Sequence, residues 1–251
     1  MKPHKSEYWI FPKIEDQEEF VKRIEDICAV YAEAANPGSK KHVTCSDEKT
    51  GIQAISHIKT EAPKKDRPRR VDPEYKRNGT TCLIAGLDVK TGEISSYSQG
   101  DTRDEEDYLK HVQEIVSKHP DHNHIIVCDQ LNTHKSASLV EWVANQIKYD
   151  GDLGIKGKEG ILFSMKSRME FLENKTHRIR FQFTPKHCSW MNQIENWFGF
   201  LQRRVIKSGN FDSVNILESK IGCFIGYYND FLASPRNWKF TGEKYRLLLE
   251  N

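Results

Sequence analysis

The stretch from Arg178 to Lys207 constrains this chain most, because it reads as a strand, a turn and a helix in succession. Ile179, Phe181 and Phe183 alternate with Arg180 and Gln182, the period of a half-buried strand. Pro185 ends the strand, and Ser189 is the expected helix cap. Ile194, Trp197, Leu201 and Val205 then recur at helical spacing and form one apolar stripe. Glu195 sits beside that stripe, with Met191 and Phe198 three or four residues away. A carboxylate so placed is partly desolvated and needs a partner. A basic side chain would serve. A metal ion would also serve, but only with other carboxylates nearby.

Two other acids meet that requirement. Ile125-Ile126-Val127-Cys128 is the clearest buried strand, predicted over 123–129, and Asp129 shares a face with Ile125 and Val127. Asp47 likewise shares a face with Val43 and Cys45 in the strand that begins near His42. A helix over 14–35 precedes that strand, and Asn36-Pro37-Gly38 stops it. Separate strands are expected at 52–58, 80–89 and 93–98. Helices are expected at 104–118 and 136–146, a loop with a short helix at 165–172 within 148–176, and a last helix over 213–231. Three hairpin-linked strands followed by helix, strand, helix, strand and helix is the order of a ribonuclease-H-like α/β fold, a mixed sheet with helices on both faces. In that fold the ends of the first and fourth strands lie side by side, and the closing helix passes over them. Asp47, Asp129 and Glu195 would then converge. Their mutual repulsion would be relieved by two magnesium ions, which prefer oxygen ligands and, about 4 Å apart, would clamp the attacking and leaving oxygens of a phosphodiester displacement.

At 251 residues with 37% hydrophobic content, the chain can bury one sizeable core. The expected division is an extension and helix over 1–41, the catalytic domain over 42–241 with an insertion at 148–176, and a tail over 242–251. A net charge of +2 does not by itself indicate a nucleic-acid partner. Six scattered cysteines with no C-x-x-C pair suit reduced thiols in a cytoplasmic protein, and no apolar run approaches the ~20 residues of a membrane span. Lys156-Gly-Lys-Glu-Gly lacks the spacing of a phosphate-binding loop.

Four motifs carry a resemblance. Thr44-Cys-Ser-Asp47-Glu-Lys-Thr-Gly-Ile-Gln-Ala, Glu74-Tyr-Lys-Arg-Asn-Gly-Thr, Val127-Cys-Asp129-Gln-Leu-Asn-Thr-His-Lys and Phe183-Thr-Pro-Lys-His-Cys-Ser-Trp-Met-Asn-Gln-Ile-Glu195 occur in that order. The chain resembles, from Tyr8 to about Thr241, the catalytic domain of bacterial insertion-sequence transposases of the IS-six-thirty type, in the mariner superfamily of DDE transposases. The resemblance implies that Asp47, Asp129 and Glu195 hold magnesium, with manganese as a substitute. It implies cleavage at transposon ends and transfer to target DNA at a TA dinucleotide. It also implies DNA as partner, a homodimer assembled on it, and a nucleoid-associated bacterial protein. Two features depart from the family. Gln130 stands where Asn is common, and the Asp129–Glu195 spacing is long, with 148–176 supplying the excess. The helix-turn-helix domains that begin family proteins have no counterpart here. The expectation is therefore a catalytic fragment, a remnant, or a split-gene product with an upstream DNA-binding subunit.

The remaining candidate residues also suit plainer roles. Asn132 and His134 suit turn and capping chemistry, and the resemblance adds a supporting role at the site. Glu48 points to the face opposite Asp47, and Asp88 reads as a solvated hairpin end. Lys64, Lys65, Arg67, Arg69 and Arg70 would hold DNA phosphates, as would Lys186, His187, Arg203 and Arg204. His122 and His124 are expected in an exposed loop. Two other readings keep part of this picture: a standalone ribonuclease-H-like nuclease, and a silent binding protein that restrains a full-length transposase.

Overall fold

The computed structural model describes residues 14, 16–36, 38–207, 209–243 and 245. Helix α1 (Gln17–Ala34) begins at Asp16, whose carboxylate accepts from the Glu19 backbone N–H. Strand β1 (Lys41–His57) follows. A small exposed hairpin, β2 (Thr60–Glu61) and β3 (Arg70–Val71), links it to β4 (Tyr75–Asp88), and β5 (Ile94–Gly100) comes next. The rest is α2 (Glu105–Ser117), β6 (Asn123–Cys128), α3 (Ala137–Gln146), α4 (Met165–Leu172), β7 (Ile179–Phe183), α5 (Gln193–Leu201) and α6 (Val214–Phe231). The main sheet runs β5-β4-β1-β6-β7. Strands β1, β4 and β5 are antiparallel neighbours, whereas β6 and β7 run parallel to β1.

Alternation along the strands divides the core into two layers. Val43, Cys45, Leu83, Leu87, Ile125 and Val127 face α1, α5 and α6. Ile84, Ile126, Cys128, Phe181 and Phe183 face α2, α3 and α4. Helix α1 belongs to the first layer, and its Tyr31 hydroxyl donates to Met191 O at 2.6 Å. The first and last thirds of the chain thus close over the same sheet face.

Several expectations are corrected. The strand expected to begin near His42 and the one expected at 52–58 are one. β1 continues through an irregularity between Lys49 and Ile52, where Gly51 takes φ 63°, a left-handed conformation that glycine adopts without strain. β7 is buried along its whole length, not on one face. Its polar residues Arg180 and Gln182 lie beneath α1, where Asp26 and Glu33 bear on Arg180 and partly offset the downward push of burial on its pKa. Ser189 does not cap α5. It opens a single 3-10 turn, Ser189–Met191, and Asn192 precedes the helix. Within 148–176, residues 155–160 are exposed, but Leu162, Phe171 and Leu172 join the second core layer. All six cysteines are free, four of them buried. No described helix is long and apolar enough to cross a membrane.

Candidate active site

The parallel pairing of β1 and β6 creates the site. Cys45 is in register with Val127, so two residues further along each strand the chain places Asp47 and Asp129 side by side. One carboxylate oxygen of each and a ring nitrogen of His134 lie within 4.8 Å of one another. Asp47 is only 7% exposed. Its Oδ1 accepts from the Glu48 N–H at 2.8 Å, and its Oδ2 accepts from Asn192 Nδ2 at 3.3 Å. Burial, and then the charge of Asp129, push the Asp47 carboxyl up to about 7.

Asp129 behaves oppositely. Burial raises its pKa, but His134 and the Leu131 N–H outweigh that and hold it below the ordinary value. His134 Nδ1 lies 2.9 Å from Asp129 Oδ1, and Nε2 lies 3.0 Å from Glu48 Oε2. Burial disfavours the charged imidazole, yet hydrogen bonds to Asp129, Cys128 and Glu48 raise its pKa well above the ordinary value. The ring also packs on Tyr108 at 4.0 Å between centroids. The site therefore holds the His134 imidazolium between Glu48 and Asp129, and its charge only partly offsets the burial and the Asp129 charge that act on Asp47.

Glu195 enters from the first turn of α5. It is exposed and lies outside the tight group of Asp47, Asp129 and His134. Burial raises its pKa, the charge of Lys49 opposes that, and the charge of Asp129 adds to it. Asn192 ties this helix to the strands, because Nδ2 also donates to Ser46 O at 3.0 Å. The available donors are carboxylate oxygens around a buried acid that resists ionisation. That set fits a hard divalent cation, which favours oxygen ligands and would compensate the charge of Asp47.

The sequence matches a family model described as DDE superfamily endonuclease over residues 42–218, which include all three acids. The chain belongs to the DDE superfamily of endonucleases. No curated protein sequence matches it. Among solved structures it is similar to the protein of a pre-cleavage Mos1 transpososome, at 13% identity and a TM-score of 0.53. That match covers 98% of this chain and 66% of the other, so the chain spans just under two thirds of that protein. The catalytic domain of Mos1 mariner transposase matches at 12% identity and a TM-score of 0.49, covering 95% of each chain. The five-stranded mixed sheet with helices on both faces is the ribonuclease-H-like fold.

The other candidate residues of the DDE domain are scattered. Asn132 is exposed, and its backbone carbonyl, not its side chain, caps the turn containing His134. Lys64, Lys65, Arg69 and Arg70 are exposed on the β2–β3 hairpin, whereas Arg67 pairs with Glu61 at 3.0 Å. The hairpin lies beyond His57, roughly 30 Å along β1 from Asp47. Lys186 and His187 are exposed in the loop before α5, His187 with φ 63°. Arg203 and Arg204 are exposed on the π-helical continuation of α5, Gln202–Ile206. Asp88 does close a hairpin, accepting from the Thr91 N–H at 2.8 Å. Glu48 and Asn192 escaped sequence reasoning as site residues. Alternation placed Glu48 correctly on the far face, but its partner His134 lies 86 residues away. The signal for Asn192 was its position one helical turn before Glu195.

Proposed function

We propose that this chain is the catalytic domain of a DDE transposase of the mariner superfamily, of the bacterial IS-six-thirty type, cutting phosphodiesters at transposon ends and joining the freed 3′-hydroxyl to target DNA. The observation that carries the reading is the pair Asp47 and Asp129 at the ends of adjacent parallel strands, with Glu195 in the first turn of α5 close enough for the charge of Asp129 to raise its pKa. Magnesium is the proposed ion, held by Asp47, Asp129 and Glu195. Bound there, it would lower the pKa of a water and stabilise the charge that develops in phosphodiester displacement.

The chain's own residues prepare that site. His134 fixes the orientation of Asp129 and keeps it ionised, so its free oxygen stays available. Asn192 and the Glu48 N–H orient Asp47. Glu195 sits on the solvent side, where the scissile phosphate would enter. Lys64, Lys65, Arg69 and Arg70 would hold DNA backbone further along, with Lys186, His187, Arg203 and Arg204 nearer α5. Assembly as a homodimer on DNA, and an upstream DNA-binding subunit, rest on the family resemblance alone.

The test is a cleavage assay on transposon-end and unrelated DNA with magnesium or manganese. End-specific cleavage and joining, lost together in Asp47→Asn, Asp129→Asn and Glu195→Gln, are expected. Equal cutting of both DNAs without joining would make the chain a general nuclease. Wild-type activity in any of the three variants would remove that residue from the site.

A further inference from the structure

The end of the sheet opposite the carboxylates carries a different cluster. Parallel pairing puts His42, at the start of β1, beside His124 at the start of β6. The turn after α2 brings two more imidazoles over them. His122 N–H donates to His119 O at 3.0 Å to close that turn. His119 stacks on His42 at 4.0 Å with 9° between planes. His42 Nε2 lies 2.7 Å from His122 Nδ1. The exposed-loop expectation therefore fails for His124, which is 1% exposed and holds His119 O at 2.8 Å. Its Nδ1 is buried without a hydrogen-bond partner.

We propose that His42, His119 and His122 form a binding site for a borderline divalent transition-metal ion such as zinc. One ring nitrogen from each lies within 4.8 Å of the others. Nitrogen ligands about 2.0–2.1 Å from a tetrahedral zinc stand roughly 3.3 Å apart. The 2.7 Å pair needs only a small opening to reach that spacing. The rings must also tilt out of their parallel stack to converge on one ion. His119 and His122 are exposed and free to do so, while His42 is anchored in the strand. Solvent on their side leaves a fourth position for water.

Asp88 supports the assignment. Its Oδ2 lies 3.9 Å from His42 Nδ1, the ring nitrogen turned away from His122, while its Oδ1 is fixed by the Thr91 N–H. A metal-bound imidazole characteristically donates its second N–H to such a carboxylate. Three imidazoles select zinc, nickel or copper over magnesium, whereas the Asp47 and Asp129 oxygens select the reverse. The two clusters are five residues apart along β1, about 17 Å. The site therefore neither shares ligands with the carboxylates nor depends on the catalytic reading.

The experiment uses the full chain without an affinity tag, carrying Asp47→Asn and Asp129→Asn so that the carboxylate site cannot compete. Zinc affinity is measured by competition with a chromogenic chelator, and cobalt supplies a visible spectrum. We expect one zinc per chain, a tetrahedral cobalt spectrum, and at least a tenfold loss of affinity in both His122→Ala and His119→Gln. Thermal melting without metal should match the parent in both, since the two side chains are exposed. No zinc binding in the parent, or unchanged affinity in both histidine variants, would overturn the proposal.

Discussion

His134 and Glu48 form a buried pair, with Nε2 3.0 Å from Oε2 and side chains 0% and 1% exposed. The same ring reaches Asp129 through Nδ1, so one imidazolium joins the second acidic strand end to the reverse face of the first. Cys128 and Tyr108 surround it in the second core layer. His134→Gln should therefore cost stability, about 3–5 kcal/mol, because the buried Glu48 side chain loses its imidazole partner. Glu48→Gln combined with His134→Gln should lose less than the two single losses added together. Urea unfolding of the four proteins measures this, and strictly additive losses would mean the pair is not coupled.

The basic hairpin yields a second prediction. Lys64, Lys65, Arg69 and Arg70 are exposed, on an arm that carries β1 and β4 past the site. Replacing all four with Gln should weaken binding to every DNA sequence alike. It should also flatten the dependence of log affinity on log salt by up to about 3–4, near 0.9 for each phosphate no longer neutralised. Arg67 is left out because Glu61 already engages it. Fluorescence anisotropy at several salt concentrations is the measurement. An unchanged slope would remove the hairpin from the DNA path.

A third prediction concerns the long connection between Asp129 and Glu195. Ile155 and Glu159 close a tight exposed turn, with Ile155 N–H donating to Glu159 O, while Leu162, Phe171 and Leu172 anchor the next segment in the core. Trypsin should cut at Lys156 or Lys158 and leave both halves associated and folded. Intact chain after prolonged digestion would show the turn is protected.

How far the sequence disclosed this site depends on the range of each interaction. Alternation is local, so it placed Asp47 with Cys45 and Asp129 with Val127, and parallel pairing then had to bring them together. The same rule sent Glu48 to the opposite face, which is where it lies. What alternation cannot say is that His134 waits there, because that contact depends on how the turn after β6 folds under the sheet. Arg180 and Gln182 looked solvent-facing because no strand-level pattern announces α1 lying across them. Ser189 had the chemistry of a cap, but Pro185 and the left-handed His187 delay the helix until Asn192. The histidines at the far end of the sheet met only through the β1–β6 register.

The last prediction concerns Asp47, the buried carboxyl beside Asp129. Asp47 is pushed up to about 7 by burial and by Asp129, against roughly 3.9 in an unfolded chain. Between those values the folded state binds more protons than the unfolded one. Stability linked to Asp47 is thus fully present below about pH 4 and lost as pH rises through about 7. Metal-free protein should therefore lose part of its stability across that window, and Asp47→Asn should remove that part of the slope. Asp129→Asn is a poorer test, since it also deprives His134 of a partner. Magnesium should oppose the loss most at pH 8, where Asp47 is ionised. At a hundredfold excess over its dissociation constant it would add about 2.7 kcal/mol, a gain that shrinks in Asp47→Asn. Melting curves from pH 4.5 to 8.5, with and without magnesium, read both effects. A wild-type slope that survives unchanged in Asp47→Asn would show that the proton resides elsewhere. A full magnesium gain in that variant would show that Asp47 is not a ligand.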